Sequence, residues 1–204
     1  MGIEACFRCY ELASSVGVLH KWGLSRLNCW SRQLNHLSSL FLNQVYLLQL
    51  DVADEATCQT AAEKLAAENI TLDVILNNAG ILDERSKTIE EIDIDKVEET
   101  FNINLFGPMR VVKHFLLLLS KGPDSSIINI SSEAGSFQNA YGGDYPYALS
   151  KSALNMFSEQ LKKYLSEDKV SVFAVHPGWI KTDMGGEKAP GTPEESARRY
   201  IEYY

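Results

Sequence analysis

From residue 45 onward, short apolar runs alternate with stretches long enough to form helices, and each run stops on a polar or turn-forming residue. Val45-Tyr46-Leu47-Leu48-Gln49-Leu50 reads as a strand ending at Asp51-Val52. Residues 54 to 68 follow as a helix with Ala61, Leu65 and Ala66 on one face, and Leu72 to Leu76 as a strand ending in Asn77-Asn78-Ala79-Gly80. A long helix is predicted over about 93 to 120, then a strand over Ser126 to Ile130 ending at Ser131-Ser132. A further helix over about 146 to 166 leads to a strand from Val170 to Val175, which stops at His176-Pro177-Gly178. Strands alternating with helices are βαβ units and imply a parallel sheet. Near-continuous apolar strands imply that both sheet faces are covered. The expected fold class is therefore α/β, in three layers.

In such a sheet, ligands bind beyond the carboxyl ends of the strands. Four successive strand ends carry Asp51, Asn77-Asn78, Ser131-Ser132 and Pro177-Gly178, so polar and turn-forming residues collect along one edge. Residues 1 to 44 do not keep this rhythm. They hold Trp22, Trp30 and three of the four cysteines, and only Val16-Gly17-Val18-Leu19 reads as a short strand. The segment from Gly185 to Pro193 reads as a loop, with a brief helix from about Pro193. All 204 residues are expected to form a single domain.

The stretch Asp144-Tyr-Pro-Tyr-Ala-Leu-Ser-Lys151 holds two tyrosines and a lysine. Four residues along a helix bring two side chains onto one face. Tyr147 and Lys151 have that spacing, whereas Tyr145 has Leu149 at the matching position. An ammonium beside a phenol favours the phenolate and lowers its pKa from about 10. A phenol so tuned can give or take a proton in carbonyl reduction or alcohol oxidation. The same spacing also occurs as an exposed pair without chemistry. Ser132, at a strand end, can donate to a substrate oxygen, or it can simply cap a turn. Asn104, in Phe101-Asn-Ile-Asn-Leu-Phe-Gly107, is a candidate of the same kind, or a polar residue tolerated on a helix.

A net charge of −8 with scattered acids disfavours nonspecific nucleic-acid binding, which needs a basic surface. The run around Phe115 to Leu119 is far shorter than the ~20 residues of a membrane span. No secretory leader is evident, and a cytoplasmic location is expected. Cys6-x-x-Cys9 lacks a second ligand pair, so unpaired thiols are preferred to a metal site. The sequons at Asn69 and Asn129 read as chance, with Asn129 in a buried run.

Taken in order, "LDVAD" (50–54), "NNAG" (77–80), "NINLFG" (102–107), "INISS" (128–132), "YALSK" (147–151) and "HPGWIKTDM" (176–184) give the chain its resemblance to the short-chain dehydrogenase/reductase family. The match covers about residues 45 to 195, and "HPGWIKTDM" is closest to carbonyl-reductase and C-factor-like members. The resemblance implies a Rossmann-like fold and an NAD- or NADP-dependent interconversion of a carbonyl and an alcohol. It implies Tyr147 as catalytic acid/base, and Lys151 as the group that lowers its pKa and binds the nicotinamide ribose. Ser132 would position the substrate oxygen, and Asn104 would hold a relay water. Asp51 and Val52 would line the adenine pocket, Asn78, Ala79 and Gly80 the cofactor groove, and Pro177, Gly178 and Thr182 the nicotinamide end. It also implies a homodimer or homotetramer. Apolar Phe106, Val111, Phe115 and Met156 could serve that interface or the domain's own core.

The resemblance is incomplete. The family's first strand and Gly-rich turn, which brings backbone amides to the pyrophosphate, has no counterpart in residues 1 to 44. The first and last strands are expected to be missing or altered. A second reading follows from this: a reductase-derived scaffold without catalysis. An epimerase or dehydratase is disfavoured, because those relatives carry a larger substrate domain.

Overall fold

The computed structural model describes residues 16–19, 27–30, 45–193, 195, 196 and 198. Strands β1 (Val16–Leu19), β2 (Leu27–Trp30), β3 (Val45–Leu48), β4 (Val74–Asn77), β5 (Ser126–Ile130) and β6 (Ser171–Val175) form one sheet in the order β3-β2-β1-β4-β5-β6. The expected parallel arrangement holds for β2 with β3 and for β4, β5 and β6. It fails at β1, which occupies the centre and runs antiparallel to both β2 and β4. The first strand is thus altered rather than missing, and its backbone groups complete the ladders of two neighbours that would otherwise be unpaired.

Helix α1 (Glu55–Ala67) begins where Asp54 accepts a hydrogen bond from the Ala56 N–H at 2.9 Å. It ends at Asn69, whose φ of 55° closes the helix while Ile70 N–H bonds back to the Leu65 carbonyl at 3.0 Å. That cap explains the asparagine of the first sequon. Its buried face is Cys58, Ala61, Ala62 and Leu65. Ala66, expected there, is exposed along with Ala67 and Glu68, because the helix's last turn runs past the core.

The long helix expected over 93 to 120 is broken. It consists of α2 (Ile94–Phe101), a π-helical turn (Asn102–Phe106), α3 (Gly107–Phe115) and a 3₁₀ turn (Leu116–Leu118). The Arg110 guanidinium ties this region to the end of β3, donating to the carbonyls of Val52 at 2.9 Å and Asn102 at 3.1 Å. Helix α4 (Tyr145–Tyr164) runs twenty residues, with Pro146 in its first turn, where the missing N–H costs nothing.

Ile75, Ile127 and Val172 project from β4, β5 and β6 onto one face and join Leu65, Phe115, Leu161 and Leu165 in the main core. Val111 and Phe115 are fully buried there, so two of the four positions left open between core and interface are core. Phe106 and Met156 are the other two, exposed at 44% and 59%. On the opposite face, Leu76, Ile130 and Ile180 form a smaller cluster with Ile128. Asn129 is buried in the sheet, where it accepts from Asn77 at 2.7 Å and donates to Ser158 at 2.8 Å, so its sequon is inaccessible. Cys6 and Cys9 lie outside the described residues, as does most of the helix expected from Pro193.

Candidate active site

Because β4, β5 and β6 are parallel, their carboxyl ends deliver Asn78 and Gly80, Ser131 and Ser132, and Pro177 and Gly178 to the same edge. There they line a cleft of about 520 Å³, together with Tyr147 and Lys151 from α4 and with Thr182. Asp144 takes a left-handed φ of 46° just before α4, turning the chain so that the helix starts over this edge. Tyr147 faces the cleft and Tyr145 is not among its lining residues, in accord with the i, i+4 argument.

Lys151 is 4% exposed. Its Nζ donates to the Ile130 carbonyl at 2.7 Å and lies 5.6 Å from the centroid of the Tyr147 ring. Burial lowers its pKa to about 8. The expected acidification of Tyr147 is not what the structure gives. Burial of the phenol raises its pKa, and the nearby Ser132 hydroxyl and Arg85 guanidinium offset only part of that rise. Desolvation wins because both members of the pair are withdrawn from water, which disfavours the phenolate and the ammonium alike. Ser132 does two things at once: it lies against Tyr147, and its Oγ accepts from the Ala134 N–H at 3.2 Å, capping the turn that follows β5.

Asn104 sits on the π-helical turn and is fully buried. Such turns carry an extra residue per turn and are frequent at functional sites. Its side-chain amide accepts from the Ile81 N–H at 2.8 Å and donates to the Ile81 carbonyl at 2.9 Å and to Ser150 Oγ at 3.0 Å. It therefore clips the segment after Gly80 to helix α4. A Cβ at Gly80 would lie 3.3 Å from Asn104 Oδ1 and 3.5 Å from Lys151 Nζ. Glycine is what lets the chain pass between these two groups.

Four expected residues are not among those that line the cleft: Asn104, which lies behind Gly80, and Asp51, Val52 and Ala79, which stand apart from it. Asp51 and Val52 follow β3, at the far end of the sheet, with Asp51 accepting from the Ala53 N–H at 3.0 Å and the Val52 side chain in the main core. Ala79 is buried in that core as well. The cleft also takes in Leu82, Arg85, Tyr141, Asp144, Trp179 and Met184, none of which was singled out as a site residue in the sequence. Trp179 lies inside the quoted "HPGWIKTDM", but loop 81 to 93 offered no periodicity or motif. Among the described residues, no helix is long and apolar enough to cross a membrane, and no three His, Cys, Asp or Glu side chains gather as metal ligands.

The chain is 33% identical over 159 residues to a 1-hydroxy-2-glutathionyl-2-methyl-3-butene dehydrogenase of Rhodococcus sp. (strain AD45), covering 74% of this chain and 68% of that protein. It is 35% identical over 128 residues to the C-signal protein of Myxococcus xanthus, covering 62% and 76%. Among solved structures, it resembles an NADPH-bound carbonyl reductase from chicken fatty liver, at 32% identity and a TM-score of 0.71 over 78% of this chain and 69% of that one. It also resembles the carbonyl reductase Sniffer of D. melanogaster, at 25% identity and a TM-score of 0.80 over 98% and 84%. The family model described as short chain dehydrogenase matches residues 1–192, so the likeness reaches through the irregular first 44 residues as well. On this match and these relatives, the chain belongs to the short-chain dehydrogenase family.

Proposed function

We propose that the chain is an NAD(P)-dependent oxidoreductase that interconverts a carbonyl and an alcohol in the cleft beyond β4, β5 and β6. The observation that carries the reading is the placement of the Tyr147 phenol between Ser132 and the buried Lys151. In this role Ser132 donates to the substrate oxygen. Tyr147 gives that oxygen a proton in reduction and takes it back in oxidation. A phenol held above its ordinary pKa keeps its proton until the reacting oxygen needs it. Asn104 and Lys151 crowd the same spot above Gly80, where a relay water would join them to solvent.

When bound, a nicotinamide dinucleotide supplies or accepts the hydride. The residues present fit its nicotinamide end. Lys151 has three donors, and the Ile130 carbonyl takes one, leaving two for ribose hydroxyls. Pro177, Gly178 and Thr182 line the same cleft. Asp51 and Val52 stand three strands from β4 along the same edge, roughly 14 Å away at ordinary strand spacing, a span suited to a dinucleotide. The NADPH-bound chicken relative supports this assignment, with the choice between NAD and NADP left to experiment.

A homodimer or homotetramer in the cytoplasm is part of the same proposal. Exposed Phe106, Met109, Leu149 and Met156 give the helices beside the cleft an apolar surface suited to a second copy. The test is fluorescence titration with NADH and NADPH, followed by assay of Tyr147→Phe. Micromolar cofactor binding and loss of carbonyl reduction in the variant support the enzyme. An active variant overturns the mechanism, and a protein that holds neither cofactor at millimolar concentration is a scaffold.

A further inference from the structure

At the mouth of the cleft, two residues other than glycine hold left-handed backbone on either side of Arg85: Glu84 at φ 55° and Ser86 at φ 64°. Such conformations are rare for side-chain-bearing residues and persist where the surroundings fix them. Here the fixing contacts are visible. Asp93 N–H donates to Glu84 Oε2 at 3.0 Å, and Lys87 N–H donates to the Glu84 carbonyl at 3.3 Å. Ser86 N–H donates to Asp144 Oδ1 at 3.4 Å, while Asp144 Oδ2 accepts from the Tyr141 hydroxyl at 2.9 Å. Asp144 is itself left-handed and precedes the helix that carries Tyr147. The turn is thus pinned to the start of the catalytic helix.

The side chain this turn presents to the cleft is Arg85. Among the described residues, it makes no hydrogen bond or ion pair. The carboxylates of Asp144 and Glu133 line the same cleft, bonded to neutral donors, Asp144 as above and Glu133 to Asn139 Nδ2 at 3.0 Å with His176 at 3.8 Å, and neither pairs with Arg85. Leu82, Tyr141, Trp179 and Met184 give the lining an apolar and aromatic part, beside polar Asn139 and His176. A planar five-donor cation beside such a surface matches a carboxylate carried on an apolar segment.

We infer that Arg85 selects carbonyl substrates that carry a carboxylate, with an apolar segment between the two groups lying against Tyr141 and Trp179. This rests on the oxidoreductase reading for the position of the carbonyl, but its test does not need turnover. Ligand-observed NMR titrations compare 4-oxo-4-phenylbutanoate with its methyl ester, on the protein alone and with NADPH present. The acid is expected to bind roughly tenfold tighter than the ester, as one charge-assisted contact allows. Arg85→Gln brings the acid down to the ester's affinity, Arg85→Lys restores part of the difference, and added salt weakens the acid alone. Equal binding of acid and ester, binding of neither, or an undiminished preference in Arg85→Gln overturns the assignment. Failure of the oxidoreductase reading shows separately, as a catalytically silent protein that still prefers the acid.

Discussion

Lys151 Nζ lies 5.6 Å from the centre of the Tyr147 ring while donating 2.7 Å to the Ile130 carbonyl, so one ammonium anchors helix α4 to β5 and lies against the phenol ring. Its burial gives a pH dependence that can be signed. The folded-state pKa is about 8 and the ordinary value 10.5, so between these pH values the unfolded chain binds more protons than the folded one. This contribution to stability is therefore absent below about pH 8 and grows as pH rises through the window. Urea denaturation at about pH 7 and about pH 10 should show the wild type gaining on Lys151→Met by on the order of a few kcal/mol. A constant difference would refute the buried charge.

Tyr147→Phe keeps the ring under which Lys151 packs and removes only the hydroxyl. Carbonyl reduction should fall by about 10²–10⁴-fold, the usual worth of a positioned acid, with the melting temperature little changed. Initial-rate assays beside a thermal melt check both halves.

Asn104→Ala removes three hydrogen bonds and leaves the Ile81 N–H and carbonyl without their side-chain partner, while Ser150 keeps its bond to the Tyr147 carbonyl. Stability should drop by about 2–4 kcal/mol, since buried polar groups left unsatisfied carry the cost of their desolvation. Asn104→Asp keeps the acceptor for the Ile81 N–H but sets an oxygen against the Ile81 carbonyl in a buried place, so it should not recover the loss. Chemical denaturation of the pair would measure it.

Gly135→Ala tests the approach of the turn after Ser132 to helix α4. The added Cβ would stand 2.7 Å from the Lys151 carbonyl carbon and 2.8 Å from Ser152 N, both backbone atoms that cannot move aside alone. The turn or the helix must shift, at a cost of about 1–3 kcal/mol. Activity should fall with it, because Ser132 and Lys151 sit on the two parts that separate. Substitution with unchanged melting temperature and rate would show that the contact is slack.

Phe106→Glu combined with Met156→Glu places charges on the exposed apolar helix surface. If this surface joins copies, light scattering after size exclusion will show the variant at half the wild-type mass or less, with its circular dichroism retained.

The sequence made the framework legible because two signals coincide in it. Apolar runs such as Ile127 to Ile130 must be strands buried on both faces, and each ends in a residue that could not continue the strand. Tyr147 and Lys151 were readable for the same kind of reason, since helix geometry alone decides that Tyr145 cannot share the lysine. Other features depend on contacts that no local pattern encodes. The π-helical turn at Asn104 follows from the partners it finds in Ile81 and Ser150, 23 and 46 residues away. The raised pKa of Tyr147 reverses the expectation from spacing, because spacing carries no information on desolvation. Arg85 was invisible, since its placement comes from two left-handed neighbours, Glu84 held by the Asp93 N–H and Ser86 pinned across to Asp144.

Strand β1 pairs Val16 with Asn77 and Leu19 with Val74. Polarity follows directly from that register. The chain enters the middle of the sheet at the rim where Asn78, Ser132 and Gly178 gather, and it leaves at the opposite rim. Within β1 it is therefore Val16, and not Leu19, that stands at the cleft's rim, whereas β4, β5 and β6 each bring their last residues there. In this protein the direction of one four-residue strand decides which of its ends faces the cleft.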